Sequence, residues 1–265
     1  MIKPTLEQLQ NKIYDIFVEF DRVCRKYDIK YSMEGGTLMG AVKYQNFVPW
    51  DDDIDVIMKR DDYKKFLEVA PKELGEDYFL QSYHNVREFP LNYAKICYKN
   101  SLIYDYANSH LNMNHGIFID IFPIDNVSPS TLRFHCSLVG LLTTARKIKL
   151  KFIFKTNIIK KAVYKIVSLF PMKMLTKLID RVCTVYNGRD TGYLYEVCNS
   201  NKKFKPLPSY IYDELIELDF RDKKFYAVKE YDVFLKSRFG ENYMNELPDE
   251  NNRLPSHCQN ILIKE

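Results

Sequence analysis

The chain has 265 residues, 46% apolar and 28% charged, with a net charge of +4. That balance excludes a disordered or collagen-like chain and supplies enough apolar material for a sizeable core. No apolar run approaches the roughly 18 residues of a membrane span, and six scattered cysteines with no C-x-x-C pair exclude a zinc module or a dense disulfide framework.

Thr5-Leu6-Glu7-Gln8 forms a capping box, and Ile13, Ile16, Phe17, Phe20, Val23 and Cys24 continue a helical stripe to about Tyr27. A short strand over 31–33 ends in the Gly35-Gly36 turn. A helix over 37–42 follows, its N-terminus facing a phosphate. Pro49 stops regular structure before a strand over 54–58, and a helix over 60–70 is ended by Pro71. Strands are predicted over 78–83, 94–98 and 102–106, with Lys99-Asn100-Ser101 as a turn. Another, GIFIDIF over 116–122, carries Asp120 in an apolar run. The pattern is helical from Ser128 to about Tyr186, and the tail offers a strand-like IELDF at 216–220 and a helix over 228–239. Composition shifts once, near residue 126. The expected units are therefore a core over 1–125, a basic helical subdomain over 126–190 and an α/β segment over 191–265 completing the cleft.

The chemistry concentrates in PWDDDIDVIM, residues 49–58, where Asp51, Asp52, Asp53 and Asp55 precede apolar β-formers. On a strand, Asp53 and Asp55 leave the same face. Two converging carboxylates repel unless a cation lies between them, and hard oxygen donors favour Mg²⁺ or Mn²⁺. Gly35, Gly36 and Thr37 can bring bare backbone N–H groups to a phosphate. Most acidic runs are solvated turns, but Pro49-Trp50 before this one and a strand after it argue for a site. Asp120 is costly to bury unless paired or metal-bound. Asp125, just past Pro123, competes with it and is expected to be a turn or cap residue. Lys95, among apolar strand neighbours, is a phosphate candidate or a snorkelling lysine. Glu34 reads as structural, and His115 and His257 read as packing or surface residues. No Ser-His-Asp or Cys-His arrangement supports a covalent route.

GGTLMGAVKYQNFVPWDDDIDV resembles the signature of the LicD family of phosphorylcholine transferases. The match is dense over 31–66, recurs at HGIFIDIFPID over 115–125, and is looser over 239–257. The resemblance implies an α+β fold, a nucleotidyltransferase-like mixed sheet flanked by helices, here with a largely helical basic C-terminal half. It implies a third acid from a neighbouring strand, assigned to Asp120. Asp53, Asp55 and Asp120 would then be catalytic and metal-holding, with Gly35, Gly36, Thr37, Lys43 and Lys95 binding the donor. Lys43 stands where the family usually has arginine, which replaces a bidentate fork by a point charge. The implied donor is CDP-choline, the acceptor a glycan hydroxyl and the product CMP; ethanolamine, ribitol or glycerol are alternative head groups. Two other classes are a nucleotidyltransferase releasing pyrophosphate and a non-catalytic glycan- or nucleotide-binding module.

Charge is unevenly spread. Residues 126–179 hold eleven Lys and Arg and no acid, leaving 28 basic against 35 acidic residues elsewhere. Helices such as KFIFKTNIIKKAVYKIVSLF have a cationic and an apolar face. They would contact an anionic membrane through 146–177, or else pack inward and leave their lysines in water. No nucleic-acid module accompanies the charge. The 20 Tyr and 17 Phe line a core, and some could meet a quaternary ammonium. The polar start, MIKPTLEQLQ, carries the expectation of a reduced, cytoplasmic protein, peripheral at the inner face of the membrane.

Overall fold

The computed structural model describes residues 2–104, 108–152, 158–201, 203–245 and 261–263. Helix α1, Leu6–Lys26, begins at the expected capping box: the Gln8 N–H donates to Thr5 Oγ1 at 3.2 Å and the Thr5 N–H to Gln8 Oε1 at 2.9 Å. Its buried stripe of Leu9, Ile13, Ile16, Phe17, Phe20 and Val23 forms one wall of the core. Strand β1 (Ser32–Met33) leads into α2 (Gly35–Tyr44), and the chain returns along β2 (Asp55–Lys59), antiparallel to β1. Helix α3 (Arg60–Glu73), β3 (Tyr78–Gln81), β4 (Ala94–Tyr98), β5 (Ser101–Ile103) and β6 (Phe118–Asn126) follow.

The main sheet runs β1-β2-β6-β4-β3, with β2 and β6 parallel and the other pairs antiparallel. Helix α1 packs against β4 and β6, and α3 against β2, β3 and β6. Beyond β6 come α4 (Pro129–Lys149), α5 (Ile158–Val167) and α6 (Met172–Cys183). Strand β7 (Tyr193–Tyr195) pairs with the end of β6 and with β8 (Leu207–Pro208). The hairpin β9 (Leu215–Phe220) and β10 (Lys223–Val228) precedes α7 (Tyr231–Phe239), and β11 (Ile261–Ile263) pairs with β5. This mixed sheet flanked by helices is the α+β architecture expected from the sequence.

Several elements differ from expectation. Pro71 lies inside α3: in the last turn its missing N–H forfeits only one bond, to the Leu67 carbonyl. Strand β6 continues through Pro123 to Asn126, because its pairing with β4 reaches only Ile121 and its pairing with β7 starts at Asp125, so no strand on that side faces the proline. Residues 223–228 form β10, so the last helix starts at Tyr231 rather than Val228. A two-residue turn with Arg221 at φ +58° folds this segment onto β9, a ladder that a short periodicity cannot reveal. Strand β5 ends at Ile103, and residues 105–107 of the longer strand expected there lie outside the described residues.

Candidate active site

The first turn of α2 and the start of β2 are clamped together. The Glu34 N–H donates to the Asp55 carbonyl at 3.0 Å, and the Asp55 N–H donates to Thr37 Oγ1 at 2.9 Å. Gly35 takes φ +52°, which favours glycine, and a Cβ on Gly36 would stand 2.6 Å from Asp51 Oδ2. The two glycines thus serve different needs: backbone hand at one, room for a carboxylate at the other.

The sheet register assembles the acids. Asp55 of β2 lies opposite Asp120 of β6, and Lys95 of β4 lies opposite Asp120 from the other side. Lys95 Nζ is 2.6 Å from Asp120 Oδ1 and 3.1 Å from the centroid of the Phe118 ring. That carboxylate oxygen is buried and lacks a donor with hydrogen-bond geometry, so the contact is an ion pair only. Lys95, expected to bind phosphate or snorkel, is buried and pairs with Asp120. Tyr93 stands nearby; burial, and then Asp120 and Asp55, push its phenol far up.

Asp53 precedes β2 rather than lying in it, so the expected shared strand face is replaced by a strand residue and its irregular neighbour. Their charges still interact. Burial, then Asp53, Asp120 and Glu34, push the Asp55 carboxyl well up, against the opposing Lys95. Burial and Asp53 likewise push Asp51 up to about 8. Like charges held together out of water favour the proton, or a cation in its place.

Asp125 is not a turn or cap residue. It lies five residues after Asp120 in β6 and therefore points to the opposite face. There, fully buried, it accepts from Arg60 Nε at 2.8 Å and from Arg60 Nη2, and from Asn187 Nδ2 at 2.7 Å. Lys43 sits in the last turn of α2, about 12 Å along the axis from Gly35, and donates to the Tyr243 carbonyl. It is not brought to the acids. His115 Nε2 lies 3.0 Å from the Leu111 carbonyl, a packing role, and His257 lies outside the described residues.

Beside the acids opens a cavity of about 200 Å³, lined among others by Glu34, Gly35, Asp55, Glu196, Phe204 and Arg238. Arg238 of α7 lies 3.2 Å from Glu34 and also pairs with Glu196, which follows β7. Its guanidinium stacks 4.6 Å from the centre of the Phe204 ring, and its buried Nε has no hydrogen-bond partner. Burial and Glu196 push the Glu34 carboxyl well up, opposed by Arg238. Sequence reading missed Glu196 and Arg238; the signal available was the adjoining FGENYMNELPDENNRLPSH block, which begins one residue after Arg238. Glu34, expected to be structural, both anchors Arg238 and lines the cavity.

Residues 28–161, which contain the glycine turn, Asp53, Asp55, Lys95 and Asp120, match the family model described as LicD/FKTN/FKRP, nucleotidyltransferase domain. Lipopolysaccharide cholinephosphotransferase LicD of Haemophilus influenzae is 30% identical over 274 residues, spanning 99% of this chain and 100% of that protein. The chain belongs to the LicD family. It is accordingly a phosphotransferase. Two uncharacterised rickettsial proteins match shorter stretches. The one from Rickettsia typhi is 37% identical over 65 residues, 24% of this chain and 21% of its own; the one from Rickettsia prowazekii is 30% identical over 76 residues, 28% and 29%. Glu196 and Arg238 lie beyond residues 28–161 but within the stretch aligned with the Haemophilus protein, so the cavity joins the nucleotidyltransferase-domain match to the C-terminal part of the enzyme.

Proposed function

We propose that the enzyme transfers phosphocholine from CDP-choline to a hydroxyl of a cell-surface glycan of the lipopolysaccharide type, releasing CMP. The observation that carries the reading is the Asp55–Asp120 register at the N-terminus of α2. The head group and acceptor are taken from the full-length likeness to the Haemophilus enzyme.

Among the described residues no three His, Cys, Asp or Glu side chains are already arranged to hold a metal ion. The donor chemistry nevertheless fits a hard divalent cation: Asp55 is crowded by Asp53 and Asp120, and Asp120 keeps an oxygen without a hydrogen-bond donor. Asp53, Asp55 and Asp120 are the residues that would hold Mg²⁺ or Mn²⁺, which when bound supplies positive charge to the diphosphate.

The chain's own groups do the rest. Backbone N–H groups at Gly35, Gly36 and Thr37, in the first turn of α2, would bind phosphate oxygens of the donor. Lys95 holds Asp120 in place. Asp120 would orient the acceptor hydroxyl and take its proton as the new P–O bond forms and the bond to the CMP oxygen breaks. In this reading the enzyme works in the cytoplasm, at the inner face of the membrane.

Incubation with CDP-choline, Mg²⁺ and lipopolysaccharide should yield CMP and choline-bearing acceptor in equal amounts, at a rate roughly 10²–10³-fold lower for Asp55→Asn. Pyrophosphate release from CTP without CMP release from CDP-choline would overturn the proposal and assign nucleotidyl transfer.

A further inference from the structure

The acid-free basic block becomes a corner where α5 meets α6. Around it Ile166 is 64% exposed, Leu169 78% and Phe170 45%, and Val163 and Met174 join them. Val163 and Ile166 are three residues apart on α5 and share a face. One exposed apolar side chain needs no explanation; five around one corner do. Lys161, Lys165, Lys173, Lys177 and Arg181 stand exposed around them. A groove of about 610 Å³ lies between the apolar Pro171, Met174 and Leu178 and the cations Lys173, Lys177 and Arg181.

No acid lies in the same stretch of chain, residues 126–179, and the first acid after them, Asp180, accepts from the Tyr83 hydroxyl and lies 3.8 Å from His84 Nε2. The surface is also smaller than the sequence suggested. Arg146 is buried, donating to Asn92 Oδ1 and the Phe89 carbonyl at 2.8 Å each, and Lys149 Nζ donates to the Ser168 carbonyl at 2.7 Å. The C-terminal turn of α4 thus supports the corner from within, and the exposed face begins on α5.

We propose that the α5–α6 corner seats the enzyme on an anionic phospholipid surface, with Leu169 and Phe170 entering the acyl boundary and the lysines meeting the headgroups. Charge complementarity selects this occupant. An apolar tip ringed by cations matches an interface whose polar layer is negative and whose interior is apolar. A second copy docking by this face would bring like charge against like charge.

The full chain, sedimented with vesicles of phosphatidylcholine alone or mixed with phosphatidylglycerol, tests this. Binding is expected only to the mixed vesicles and should fall with salt. Leu169→Glu with Phe170→Glu should weaken it at least about tenfold, and Lys165→Gln or Lys173→Gln roughly fivefold each, at unchanged melting temperature. Absence of binding by the wild-type chain overturns the proposal, as does equal binding by the Leu169/Phe170 variant and wild type. A lipid-free dimer lost in the Leu169/Phe170 variant, with no vesicle binding, also overturns it and assigns the face to a second copy.

Discussion

Asp55 is held among its own sign, and this separates its catalytic worth from its structural worth. Asp55→Asn and Asp120→Asn should each lower kcat by roughly 10²–10³-fold, the scale of removing one charge-stabilising group. Asp55→Asn should not lower the melting temperature, because it removes a like-charge repulsion at a desolvated carboxyl. A melting temperature that fell in step with activity would assign the residue to the fold instead. Arg238→Met leaves Glu34 and Glu196 facing each other without their cation, which should cost about 3–5 kcal/mol in denaturant unfolding. Glu196→Gln keeps the arginine paired to Glu34 and should cost less. The contrast between these residues shows what was legible. The glycines and aspartates lie within one short stretch, so spacing alone announced them. Glu196 and Arg238 reach Glu34 only across most of the chain, and a lone charged residue at such a separation leaves no local pattern.

At the scale of elements, α2 depends on close approach as well as on its N-terminus. A Cβ on Gly40 would stand 2.4 Å from the Asn46 carbonyl and 3.0 Å from the Val48 N, both backbone atoms that cannot swing aside. Gly40→Ala should therefore destabilise the enzyme by about 1–3 kcal/mol, read as a lower melting temperature. The opposite end of β6 is held by the buried Asp125–Arg60 pair, and Asp125→Asn should cost about 3–5 kcal/mol without touching the face that carries Asp120. Helix α1, α2 and the central strands were readable because caps, glycines and apolar runs are local signals. The end of β6, the entry into α7 and the role of Asp125 were not. Each was settled by which strand or guanidinium lay alongside.

For the whole molecule, a cation that binds only the folded state stabilises it by mass action. Mg²⁺ at about a hundred times its dissociation constant should raise the melting temperature by roughly 5–10 °C, and Asp53→Asn should remove most of that rise. No shift with either Mg²⁺ or Mn²⁺ would count against a resident divalent ion. No helix among the described residues is long and apolar enough to cross a membrane.

By itself the sequence determined the family, the α+β class, the glycine turn and the acidic block, because each depends on short-range periodicity or on residues adjacent in the chain. It also determined where basic charge accumulates. Only the tertiary structure decided that Asp120 rather than Asp125 shares a face with Asp55, and that Lys95 pairs with Asp120. It also decided that Arg238 and Glu196 close the cavity and that Arg146 is interior while the α5–α6 corner is exposed. Those outcomes follow from strand register and from packing between distant segments. Moving a strand by one residue exchanges its faces, and no local pattern records which register the sheet adopts.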